Sequence, residues 1–150
     1  MRFEEEIKQT KPFKSNLTKA LLNVVYTGNY LQDMTNCNLK EFDINNQHYN
    51  ILRILRGVYP NAVCPGYIKE VLLNKRGDLT RLLDKLEKMN YITRNLHPEN
   101  RRMIEVRITK EGIKLLEKIS IKPNKEDALK GRLTEEETVH LSDLLDKLRG

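Results

Sequence analysis

Apolar side chains recur at helical spacing along most of this chain and shift towards strand-like alternation once, between residues 92 and 108. From Phe13 to about Met34, the residues Leu17, Leu21, Val24, Val25 and Leu31 fall at steps of three and four, the period of an amphipathic helix. Gly28 interrupts this stripe and leaves a break open there. A second helix is expected after Asn45, a good N-cap, with Tyr49, Leu52 and Leu55 on one face; Gly57 and Pro60 end it. A short third helix begins at Cys64-Pro65, since proline is tolerated in the first turn, and Ile68, Val71 and Leu72 form its buried side. The most regular segment follows Lys75-Arg76-Gly77, with Leu79, Leu82, Leu83 and Leu86 at helical spacing. Asn90 then occupies a position where a left-handed cap residue is wanted.

Beyond Asn90 the period changes. Ile92 and Arg94 lead into a polar turn, His97 to Arg102, and Met103 to Ile108 alternate imperfectly between apolar and charged. That pattern predicts a β-hairpin with a long basic tip. Thr109 caps a further helix bearing Ile113, Leu116 and Ile119, which Pro123-Asn124 breaks. Thr134 and Glu137 form a capping box for a last helix with the stripe Leu141, Leu144, Leu145 and Leu148.

At 150 residues the chain suits one domain with a real core. No run approaches the ~20 apolar residues of a membrane span, and the N-terminus does not resemble a signal peptide. Cys37 and Cys64 are too few for a disulfide framework and lack the close spacing of a zinc knuckle, so a reduced, cytoplasmic protein is expected. Charge changes the picture more than composition does. Residues 1–50 balance six basic against six acidic side chains, residues 51–122 carry sixteen against eight, and residues 123–150 carry five against seven. The excess therefore sits in the middle of the chain, where a phosphate backbone could meet it.

Two short helices joined by a tight turn, followed by a hairpin, are the parts of a winged helix. If Leu79, Leu83 and Leu86 turn inward, the opposite face offers Asp78, Thr80, Arg81, Asp84 and Lys85 to base edges and phosphates. The basic hairpin tip, with Arg101 and Arg102, can reach the adjacent minor groove. Lys75 and Arg76 join them as candidate DNA contacts in the turn ahead of this helix. Charge pattern alone fits a solvated helix face as well.

The stretch LTRLLDKLEKMNYITRNLHPENRRMIEVRITKEG, Leu79 to Gly112, resembles the MarR family (multiple antibiotic resistance regulators) in its recognition helix, cap, wing and the start of the next helix. The segment INNQHYNILRIL resembles the opening of the family's second helix, with Asn45 where threonine is usual and His48 where glutamine is usual. The resemblance runs over roughly residues 15–148. One departure concerns the wing, where the family usually carries Asp-x-Arg and this chain has Asn100-Arg101-Arg102. A charge pair there becomes at best a hydrogen bond, so Arg102 is held less firmly, and the tip becomes more basic.

The expected fold is mainly α with a small β-hairpin wing: a winged helix-turn-helix core over about 43–109, framed by dimerisation helices over about 13–42 and 110–150. The resemblance implies a homodimer held by its terminal helices. The stripes Leu17/Leu21/Val24 and Leu141/Leu144/Leu148 lie outside the core and independently need a cover. It also implies a repressor on a palindromic operator, and small ligands bound between the dimerisation helices and the winged domain. Tyr26, Tyr30, Tyr49 and Tyr59 are candidate lining residues, although each serves equally as an interface or core residue.

Other readings stay open at this level. A winged helix can serve as a protein-interaction module without DNA, and Cys37 or Cys64 could sense oxidants, ordinary packing being the plainer role. An enzyme is not indicated: the sequence has no nucleophile-base pair and no glycine-rich phosphate loop. His48, His97 and His140 are too scattered for a metal set, and no cofactor is implied.

Overall fold

The computed structural model describes residues 2–100, 102–122 and 125–150. A short helix α1 (Phe3–Glu6) precedes the long α2 (Asn16–Leu39), which runs into a 3₁₀ turn at Lys40–Phe42. Then come α3 (Asn46–Gly57), α4 (Pro65–Val71) and α5 (Leu79–Lys88), the antiparallel strands β1 (Ile92–Leu96) and β2 (Ile104–Ile108), and α6 (Lys110–Ser120), α7 (Lys125–Leu129) and α8 (Glu135–Arg149).

The helix starts are set by short polar side chains that satisfy otherwise orphaned N–H groups. Ser15 accepts from the Thr18 N–H, Asn45 from those of Gln47 and His48, Asp78 from that of Arg81, and Thr109 from that of Gly112. Thr134 and Glu137 form the expected capping box at α8. Asn90 ends the α5 turn with φ of 60°, the left-handed conformation expected of it.

The structure differs from the sequence reading or completes it at three points. Helix α2 runs unbroken through Gly28 and extends to Leu39, because nothing packs against that glycine and the helical hydrogen bonds outweigh a single low-propensity residue. Val71 does not belong to the buried side of α4. It is 42% exposed, whereas Leu72, in extended conformation just past the helix end, turns into the core. The sequence pattern also overlooked α1 and α7, which at four and five residues are too short to show a period. The expected break at Pro123-Asn124 lies outside the described residues.

One core gathers the elements between Leu39 and Ile119. Ile51, Leu52 and Leu55 of α3 lie at its centre, with Ile68 and Leu72, Leu82, Leu83 and Leu86, Ile92, Val106 and Ile108, and Leu115 and Ile119 around them. Each such side chain contributes roughly 1.5–3 kcal/mol by leaving water. Strand β1 starts beside the C-terminal end of α5 and pairs with β2 in the register Ile92↔Ile108, Arg94↔Val106, Leu96↔Ile104. An isolated bridge from Val63 to Val106 fastens the segment before α4 to the base of the hairpin.

The terminal helices are different. Among the described residues α2 buries only Leu39, and α8 buries none. Leu17, Leu21 and Val24 on α2 and Leu141, Leu144 and Leu148 on α8 are all exposed in the isolated chain. No described helix is long and apolar enough to cross a membrane.

Candidate nucleic-acid interface

Helix α5 owes its orientation to its own sequence. Leu82, Leu83 and Leu86 are buried and Leu79 half-buried, so the helical period turns Thr80, Arg81 and Asp84 outward. The turn ahead of it carries Lys75 and Arg76, both exposed. This turn is shaped by side-chain acceptors: Asn50 Oδ1 takes the Leu73 N–H at 3.1 Å and Asn74 Oδ1 takes the Arg76 N–H at 3.1 Å. Asp78 lies at the helix start, where its carboxylate is engaged as the N-cap by the Arg81 N–H at 3.2 Å.

The wing tip is likewise ordered by local bonds. The His97 N–H donates to the Met103 carbonyl at 2.8 Å and the Met103 N–H to the Asn100 carbonyl at 2.9 Å. Asn100 Oδ1 accepts the backbone N–H of Arg102 at 3.2 Å. This bond holds the Arg102 main chain, and the guanidinium is unengaged by other described residues, so no side-chain hydrogen bond takes the place of the family's charge pair among them. Arg101 lies outside the described residues.

The cations of this region fall into two groups. Some are neutralised within the fold. Lys85 Nζ lies 3.0 Å from Asp43, and Arg94 pairs with both Asp84 and Glu87 at 2.6 Å. Arg107 pairs with Glu105 at 3.2 Å and donates to the Pro60 carbonyl at 3.1 Å. Bonding to Arg94 holds the Glu87 carboxyl below the usual carboxylate range, and the same contact raises Arg94 further above its ordinary value. By contrast, the side chains of Lys75, Arg76, Arg81 and Arg102 are exposed and make no ion pair with other described residues. These four lie on the turn, the outward face of α5 and the wing.

Beneath this surface His48 is buried at the start of α3, its Nδ1 accepting the Asn45 N–H at 3.2 Å. Burial pushes its pKa down, the Lys85 charge adds to that, and Asp43 opposes it. Sequence reasoning missed the ion pairs of Arg94 and Lys85. The i,i+3 carboxylates Asp84 and Glu87 were a signal for the first, but their partner is set by how the hairpin doubles back.

The four tyrosines have different neighbours. Tyr26 meets Phe3 edge-on at 5.7 Å, Tyr49 lies under the Arg53 guanidinium at 5.9 Å and Tyr59 under that of Arg56 at 5.6 Å, while Tyr30 is exposed on α2. A cleft of about 170 Å³ opens elsewhere, between α2, α3 and the turn before α5, and Gln32, Asn36, Asn46 and Asn50 are among its lining residues. Cys37 is exposed and Cys64 half-buried, both as free thiols. No group of three or more metal-ligating side chains occurs among the described residues.

Comparison with known proteins agrees with this geometry. Residues 49–120 match the family described as winged helix DNA-binding domain. The multiple antibiotic resistance protein MarR of Salmonella typhimurium is 29% identical over 128 residues, covering 83% of this chain and 88% of that one. A MarR transcription factor structure from Planctomyces limnophilus is 30% identical, with a TM-score of 0.66 over 91% of this chain and 95% of its own. A mutant MarR of Escherichia coli complexed with operator DNA shares the fold, at a TM-score of 0.74 and 23% identity over 99% of both chains. Like these proteins in sequence and in overall fold, the chain belongs to the MarR family of winged-helix transcription regulators.

Proposed function

We propose that this protein is a homodimeric, cytoplasmic regulator that binds a palindromic site in duplex DNA, acting as a repressor. Helix α5 enters the major groove with Thr80 and Arg81 towards base edges, and Asp78 at its start organises the backbone. Lys75 and Arg76 meet phosphates, while Arg101 and Arg102 reach the adjacent minor groove. Lys85 takes a lesser part, since Asp43 already neutralises it.

The observation that carries this reading is the sorting of the cations. Arg94, Arg107 and Lys85 are paired within the fold, whereas Lys75, Arg76, Arg81 and Arg102 are exposed and make no ion pair with other described residues. Unpaired cations on a turn, a helix face and a wing suit a polyanion whose binding is driven by counterion release. The exposed leucines of α2 and α8 support the dimer, for they are the larger apolar stripes that the core leaves uncovered. A small ligand that shifts the two winged domains relative to one another would release the DNA. Besides the tyrosines, the cleft lined by Asn36, Asn46 and Asn50 is a candidate site for such a ligand.

Fluorescence anisotropy against a pool of random duplexes at two salt concentrations, with sizing on the same sample, tests the proposal. Tight, salt-sensitive and sequence-selective binding by a dimer is the expected result. No binding at low salt would favour a protein-interaction role for the winged helix instead.

A further inference from the structure

The wing carries more than charge. Leu96 and Ile104 are Cα partners at the outer end of the hairpin, 61% and 43% exposed, and Met103 beside them is 44% exposed. Strand alternation puts Leu96 on the same sheet face as Ile92 and Arg94, and Ile104 on the same face as Val106 and Ile108. Nearer the domain this face is core, with Ile92 and Val106 buried. One step further out, Arg94 reaches across to Glu87 and to Asp84, one turn closer to the start of α5. β1 thus runs back alongside α5 towards its N-terminal half, and Leu96 continues that path. The apolar pair therefore stands on the face of the wing from which Arg94 reaches α5.

We infer that Leu96, Ile104 and Met103 form an apolar ridge that packs against the deoxyribose wall of the DNA strand lying between the groove read by α5 and the groove reached by the wing tip. The inference rests on the DNA-binding reading above. Charge complementarity selects this occupant: Arg102, exposed and without an ion pair to other described residues, directly precedes the ridge, and Arg81, likewise exposed and unpaired with them, lies on the helix that this face turns towards. A duplex strand offers both parts at once, phosphate oxygens outward and apolar sugar edges lining the minor groove. The ridge makes an unusual exposed apolar cross-strand pair useful, by adding a contact that salt does not screen.

The test uses the full chain with Leu96→Thr and Ile104→Thr together; threonine keeps the strand preference while removing most of the apolar surface. The probe is the tightest duplex selected from the random pool. The double variant is expected to bind about ten-fold more weakly, as loss of a modest apolar contact implies. Its slope of log affinity against log salt should match the unaltered protein, because no cation has been removed. Hydroxyl-radical footprinting should lose protection of the sugars at the wing position and keep it elsewhere. Unchanged affinity and footprint, with the unaltered protein binding normally, would overturn the ridge alone. A change in the variant's mass on sizing would overturn it too, by making the occupant a second copy of the chain. Failure of the unaltered protein to bind any duplex would overturn the ridge together with the reading beneath it.

Discussion

Arg94 and Glu87 clasp each other across the junction of β1 and α5: Glu87 Oε2 accepts from Arg94 Nε at 3.0 Å and Nη2 at 2.6 Å, while Oε1 accepts the Arg94 backbone N–H at 3.1 Å. Asp84 adds a second carboxylate to the same guanidinium. Both side chains and a main-chain group are engaged, so the pair fixes the angle between the wing and the helix rather than merely balancing charge.

Arg94→Ala is expected to loosen that junction and to leave Asp84 and Glu87 as a like-charge i,i+3 pair on α5. The Glu87 side chain is 39% exposed, so solvent screening holds the stability loss to about 1 kcal/mol in urea unfolding. Arg94→Lys should not restore the native value, since an ammonium cannot span both carboxylates with the same fork. Native-like stability in the lysine variant would show that the pairing acts through charge alone.

His48 makes stability depend on pH near neutrality. Its folded pKa lies below the ordinary 6.5, chiefly through burial, so the unfolded chain binds the proton more readily. Stability from this residue is therefore complete above about pH 6.5 and falls as pH drops from there towards the folded pKa. His48→Gln is expected to keep the α3 capping box, because the glutamine oxygen can accept the Asn45 N–H, and to flatten the pH profile in that window. Urea midpoints at pH 7.5 and 5.5 for both proteins give the comparison. An equal drop in the two would assign the effect to other groups.

Gly112 has no room for a side chain. A Cβ there would lie 2.4 Å from the Tyr91 carbonyl oxygen and 2.8 Å from Ile108 Cγ1. Gly112→Ala must push α6 away from the base of the hairpin, and a loss of roughly 1–3 kcal/mol is expected in thermal or urea unfolding. An unchanged midpoint would mean that α6 can shift freely.

Arg81 and Arg102 should differ in kind. Arg81→Ala is expected to cost about 1–3 kcal/mol of affinity and to relax the preference for some duplexes over others, as removal of a base reader would. Arg102→Ala should weaken binding to all duplexes alike and lower the salt slope by about one. Competition assays with selected and scrambled duplexes at several salt concentrations distinguish the two. If both variants bind as the unaltered protein does, neither residue belongs to the interface.

Much of this protein was legible before its structure. The helical period of Leu79, Leu82, Leu83 and Leu86, the N-caps Asn45, Thr109 and Thr134, and the left-handed Asn90 are local matters, decided within a few residues by backbone sterics and orphaned N–H groups. The hairpin and its basic tip followed in the same way. What local pattern could not decide was which charges would find partners. Lys85 faces Asp43 across forty-two positions of sequence, and Arg94 meets Asp84 and Glu87 only because β1 doubles back along α5. Val71 against Leu72, the contact of Tyr26 with Phe3 and the tight seat of Gly112 also depend on packing between distant segments. The sequence determined the elements and the surplus of positive charge; tertiary structure decided which of those charges are spent inside the fold and which remain for a partner, because ion pairing acts through distance in space and not through separation along the chain.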